Sequence, residues 1–190
     1  MATSIIKTDE IRKLNDTVLL SNGVLSNNVQ FPAGHIIQTT RNAYSAENSD
    51  SYSTRTMAIV NKSGVQSWSG TINNVQANSH VLINMGFSIS AATSSRPDTG
   101  YSFGIYREST LIYGIGTVAV DEYIYFSSTG SSSNQVNAVH HIQFMDTSPT
   151  TGTNNYYLGF ISYASTSIEV RSKSSSGYKP FECILQEVAQ

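Results

Sequence analysis

Gly100-Tyr101-Ser102-Phe103-Gly104 has the Gly-x-Ser-x-Gly form in which a serine can serve as a nucleophile. That chemistry needs the serine on a sharp turn between a strand and a helix. Here the run continues into Ile105-Tyr106-Arg107, still in strand pattern, so Ser102 is read as a strand residue. Ser4-Ile5-Ile6-Lys7 and Ser176-Gly177-Tyr178-Lys179 have Ser-x-x-Lys spacing. In so Ser-rich a chain such matches arise by chance, and no Ser-Asp-Asn or Lys-Thr-Gly companion is present. The chain is therefore expected not to be an enzyme.

Metal and acid–base chemistry fare no better. His140-His141 is the only adjacent histidine pair. Neighbours on a strand point to opposite faces, so the pair cannot clamp one ion. His35 and His80 lie far off in sequence; their meeting in space and three copies of one histidine on a threefold axis are the two open metal arrangements. Asp121-Glu122 is an adjacent pair too, read as a strand-edge or turn pair and not as opposed carboxylates. Asp146, before Thr147-Ser148-Pro149, reads as a turn former. No EF-hand, P-loop or dinucleotide fingerprint occurs, so no cofactor is expected. Cys183 is the single cysteine, excluding an internal disulfide; within Phe181-Glu182-Cys183-Ile184-Leu185 it reads as a small buried strand residue.

The elements that would position these residues are strands. Charged residues make up 13% of the 190 and hydrophobic residues 39%, with Ser, Thr and Asn carrying the polar load. Thr suits a pleated surface, and Asn and Ser suit tight turns. Strands are expected at 35–40, 53–60, 68–72, 79–90, 101–107, 110–113, 121–126, 139–145, 156–163, 167–171 and 181–188. Val81, Ile83, Met85, Phe87 and Ile89 share one face of the fourth. Polar loops are expected at Ala91–Thr99 and Ser127–Asn134. Roughly ten strands, with a turn about every 8–12 residues, describe an antiparallel sandwich or barrel. No fixed-period repeat appears, and no ordinary helix can be placed after residue 20, which excludes an α/β fold.

Residues 1–30 differ. Ile5, Ile6, Ile11 and Leu14 line one face of a short helix or an extended arm, too sparse to make a core. The segment is expected to dock on a neighbour, with packing on its own domain as the alternative. Two units follow: an arm, 1–30, and a sandwich, 31–190. Net charge is −2, with 11 basic and 13 acidic residues, so nucleic acid is not an expected partner. No apolar run reaches the roughly 20 residues that span a bilayer. The start, Met1-Ala2-Thr3-Ser4-Ile5-Ile6-Lys7, lacks the apolar region of a signal peptide, pointing to synthesis in a cytoplasm.

Eleven Tyr and seven Phe stand against one Trp. Most are expected in the core. Others must point outward, because Tyr156 and Tyr157 are neighbours, and these would serve a subunit interface or a ligand. Tyr101, Phe103, Phe160 and Tyr163 are the candidates for a threefold contact.

Phe31-Pro32-Ala33-Gly34-His35-Ile36-Ile37-Gln38, Ser79-His80-Val81-Leu82-Ile83, Phe103-Gly104-Ile105-Tyr106-Arg107, Asp146-Thr147-Ser148-Pro149 before Tyr156-Tyr157, and Ile184-Leu185-Gln186-Glu187-Val188-Ala189 follow one another in an order that carries a resemblance. Across about 31–190 the chain resembles fibre, appendage and decoration proteins of tailed bacteriophages, especially those of cyanobacteria and marine bacteria. The resemblance implies a jelly roll related to C1q and tumour-necrosis-factor domains, assembled as a homotrimer, with no catalytic residue. It implies a virion surface component whose partner is the major capsid protein or a tail or fibre component. No long repetitive shaft precedes the domain, which favours decorating or cementing the capsid through the arm. The alternative is a tail-fibre or receptor-binding role, with outward Tyr residues and the two polar loops on a host-surface glycan.

Overall fold

The computed structural model describes residues 10–12, 18–21, 24–25, 32–44, 48–52, 56–60, 68–93, 98–114, 124–127, 134–162, 168–173 and 181–190. Its strands are β1 (Glu10–Arg12), β2 (Val18–Ser21), β3 (Val24–Leu25), β4 (Ile36–Tyr44), β5 (Asn48–Tyr52), β6 (Ala58–Ile59), β7 (Ser69–Val75), β8 (His80–Thr93), β9 (Asp98–Arg107), β10 (Thr110–Tyr113), β11 (Ile124–Ser127), β12 (Asn134–Asp146), β13 (Gly152–Ser162), β14 (Ile168–Lys173) and β15 (Phe181–Val188). No helix occurs among the described residues. The all-β expectation holds, as an antiparallel sandwich of two sheets.

The inner ladder of β8 shows why. Val81, Ile83, Met85, Phe87 and Ile89 are all buried, at every second residue. Opposed residues share a face, so the register dictates what joins them. Phe144 pairs with Ile83, Ile142 with Met85 and His140 with Phe87 on β12. Leu185 pairs with Ile83 and Cys183 with Met85 on β15. β8 thus has β12 along one side and β15 then β14 along the other, with β4 and β5 outside those. In the second sheet β9 and β13 are central. β6 and β7 flank β13, and β10 and β11 flank β9.

Several boundaries move. The expected loop at 91–99 narrows, because β8 runs to Thr93 and β9 starts at Asp98. The loop at 127–134 loses both ends to β11 and β12. Strand pairing, which periodicity does not see, extends the flanking strands, and both connections cross from one sheet to the other. Of the strand expected at 53–60, β6 retains Ala58–Ile59 among the described residues. At the other end of the chain, β1, β2 and β3 form a small antiparallel sheet that, among the described strands, pairs only within itself. Where residues 10–25 are described the chain is extended and not a short helix. Hydrogen bonds between strands supply the order that its sparse apolar residues did not foretell.

The two sheets approach closely at Gly70. A Cβ there would lie 2.5 Å from Cys183 Sγ and 3.2 Å from Leu185 Cδ1. Cys183 is fully buried, as expected, and burial pushes its thiol up to about 12, so it stays protonated and unreactive at neutral pH. Overpacking such a contact costs about 1–3 kcal/mol. Gly70→Ala is expected to lower stability by that amount in urea denaturation. Adding Cys183→Ala should recover part of the loss, measured as non-additivity in the double-mutant cycle.

Candidate functional site at the sandwich edge

Two strands bound one open edge of the sandwich. β12 pairs with β8 alone among the described strands, leaving its other side as an edge. Across from it, β9 is covered by β11 at residues 98–101 and by β10 at 105–107. Ser102 and Phe103 fall between these coverings. A cleft of about 420 Å³ opens there, lined by Ser102, Phe103, Tyr113 and the β12 stretch from His140 to Gln143.

Its floor is aromatic. Phe103 packs on Phe87 with ring centres 4.6 Å apart and on His140 at 4.8 Å. His140 points inward, its Nε2 lying 3.1 Å from the Tyr101 hydroxyl. Burial, then the neighbouring His141, holds the His140 pKa below its ordinary value. The imidazole nitrogen and the phenol share a hydrogen bond whose direction follows the histidine tautomer. Burial likewise raises Tyr101 to about 12. His141 is exposed, its ring resting over Gly86 on the outer sheet face. The expected opposition of the two histidines is therefore observed. At one end of the cleft the ring of Tyr113, 44% exposed, meets Phe144 at 5.1 Å.

Ser102 sits in the middle of β9, with strand on both sides and no helix following. The Gly-x-Ser-x-Gly turn geometry is absent there. Among the described residues no group of three or more His, Cys, Asp and Glu is gathered in a metal-binding arrangement. Asp121-Glu122 and both Ser-x-x-Lys matches lie outside the described residues.

The trimer candidates need correction. Tyr101 and Phe160 are 1% and 0% exposed, because β9 and β13 turn them into the core, where their rings stack at 6.0 Å. Phe103 faces inward with them, half-buried, and has only the cleft side open. Tyr163 lies outside the described residues, as do Ile5, Ile6 and Leu14. Ile11 is on β1, paired with Leu20.

Spacing did not foretell two buried polar ties. Asp146 accepts from Ser148 N at 3.1 Å, forming the expected turn. Its carboxylate also takes Arg107 Nη1 at 3.0 and 2.7 Å and the Tyr156 hydroxyl at 2.9 Å, and Arg107 additionally donates to the Ser148 carbonyl. Burial first, and then the Asp146 charge, raises the Tyr156 pKa. Glu187, fully buried, accepts from Gln38 Nε2 at 2.6 Å and from Gln76 N at 2.7 Å. Both ties join strands far apart in sequence. The one visible hint was a charged residue placed among strand apolars.

No protein-family model matches the chain, and no curated protein does. Among solved structures, the CBM22-1 xylan-binding domain from Paenibacillus barcinonensis Xyn10C is similar at a TM-score of 0.27 and 11% identity, covering 83% of this chain and 97% of that one. A likeness at that level carries no argument about function. The sandwich stands on its own strand pairing.

Removing one partner of a buried ion pair typically costs about 3–5 kcal/mol. Arg107→Met is expected to lose that much in chemical denaturation, because Asp146 stays buried without its cation. For His140 the folded pKa lies below the unfolded value of about 6.5. The unfolded chain therefore binds the proton first, and this group's contribution is complete above about pH 6.5 and declines on acidification towards the folded pKa. His140→Phe is expected to flatten the thermal-stability profile across that window relative to wild type.

Proposed function

We propose that the chain is a non-enzymatic, trimeric surface component of a tailed-phage virion, decorating or cementing the capsid through residues 1–30. The observation that carries this reading is the strand order. Collinear strands merge into eight positions, four per sheet. One sheet runs β4/β5, β15/β14, β8, β12, and the other β6/β7, β13, β9, β10/β11. The first long strand lies beside the last, and the chain crosses repeatedly between sheets. That order supports a jelly-roll reading, the domain that the resemblance implies.

The outer face of the β4–β15–β8–β12 sheet supports the trimer. Opposed residues Leu82 and Met145 lie on it, with Ile184 two strands from Gln143. Val139 on β12 is 51% exposed, and Ile36, at the start of β4, is 47% exposed. The two sites are not equivalent, so a contact joining one to the other is head-to-tail and can close into a ring. The small β1–β3 sheet, paired with neither layer among the described strands, fits a separate attachment element.

Light scattering should give three times 20.6 kDa. Val139→Asp is expected to shift the particle towards monomer without loss of thermal stability. Removing residues 1–30 should abolish incorporation into particles. A wild-type monomer would overturn the trimer.

A further inference from the structure

The edge cleft has a lining that the display role leaves unused. Among the described residues its lining holds no Lys, Arg, Asp or Glu. The side chains of His141 and Gln143 turn away: His141 covers Gly86, and Gln143 Nε2 donates to Asn84 Oδ1 at 2.8 Å. These residues therefore present edge main chain to the cleft. Opposite them stand Ser102, the side of the Phe103 ring and the exposed Tyr113 ring.

Main-chain amides and carbonyls offer directional bonds to a neutral polar ligand. The aromatic faces offer contact for C–H groups. A ligand needing both and no counter-charge is a neutral sugar, whose ring has hydroxyls at its rim and C–H groups on its faces. The volume of about 420 Å³ falls within the roughly 300–1,000 Å³ of small-ligand sites. An added polypeptide strand is the competing occupant, since a sheet edge can accept one. The contact of Tyr113 with Phe144 closes one end, so the open stretch is about four residues long. That suits a compact ligand better than an extended chain.

We propose that the cleft between Ser102–Phe103, Tyr113 and the β12 edge at 140–143 binds a neutral saccharide, with Tyr113 as its stacking platform. The site replaces the loops at 91–99 and 127–134 as the place of glycan contact. It is independent of the display reading: a monomer can carry the cleft, and a trimer with an inert cleft leaves that reading intact.

The test uses the full chain, with ¹⁵N-labelled amides followed by NMR. Cellohexaose, maltohexaose, mannohexaose and galactohexaose are each titrated to millimolar concentration, with 3′-sialyllactose and an uncharged alternating Thr/Val hexapeptide as controls. At least one neutral sugar is expected to shift the amides at 102–103, 113 and 140–143. Its affinity should fall about tenfold or more in Tyr113→Ala and stay within about threefold in Tyr113→Phe, with thermal stability retained in both. Silence with all four sugars overturns the proposal. So does a shift mapping elsewhere, a stronger response to sialyllactose, a response to the hexapeptide alone, or sugar binding that survives Tyr113→Ala.

Discussion

The inward ladder of β8 is the constraint on which the rest depends. Five apolar side chains at alternate positions, all buried, commit a 14-residue strand to one face for most of its length. A slip of one residue would send every one of them to solvent. β12 and β15 are held in register by that requirement, since Phe144, Ile142, Leu185 and Cys183 must land on the same side. The facing sheet then fits against this surface, with Gly70 admitting the bulk of Cys183 and Leu185.

Polar chemistry secures what the apolar ladder leaves loose. Asp146 and Arg107 link the end of β12 to the end of β9, with Tyr156 of β13 completing the carboxylate's bonds. Glu187 gathers Gln38 of β4 and the main chain just after β7. Buried carboxylates are costly unless their acceptor capacity is used, and in both places it is. Both ties lie at one end of the sandwich, where Asp146 and Glu187 flank Val81 at the start of β8. The edge cleft follows from the same arrangement. β10 and β11 each cover only part of β9, and β12 has no described strand beyond it, so a gap lined by edge main chain and aromatic rings remains.

Much of this was legible in the order of residues. Alternation from Val81 to Ile89 named an inward face, and β10 and β15 begin and end where their apolar runs do. The opposition of His140 and His141 followed from a period of two. The burial of Cys183 followed from its apolar neighbours. Composition alone excluded a helical layer, because little in the chain prefers a helix.

Other features depended on partners distant in sequence. Nothing local distinguishes Tyr101 and Phe160, buried in the core, from Tyr113, exposed at the edge; the pairing of β9 with β13 on one side and β10 on the other separates them. Arg107 and Asp146 are 39 positions apart, and Gln38 and Glu187 are 149 apart. Residues 10–25 held too few apolar side chains to announce a sheet, yet their main chains pair. The sequence by itself determined that the chain forms strands and which side chains each strand turns inward, because a period of two is a local property. Which strands meet, which edges stay open and which buried charges find partners belong to the tertiary structure, because those bonds join residues that only the completed sandwich brings together.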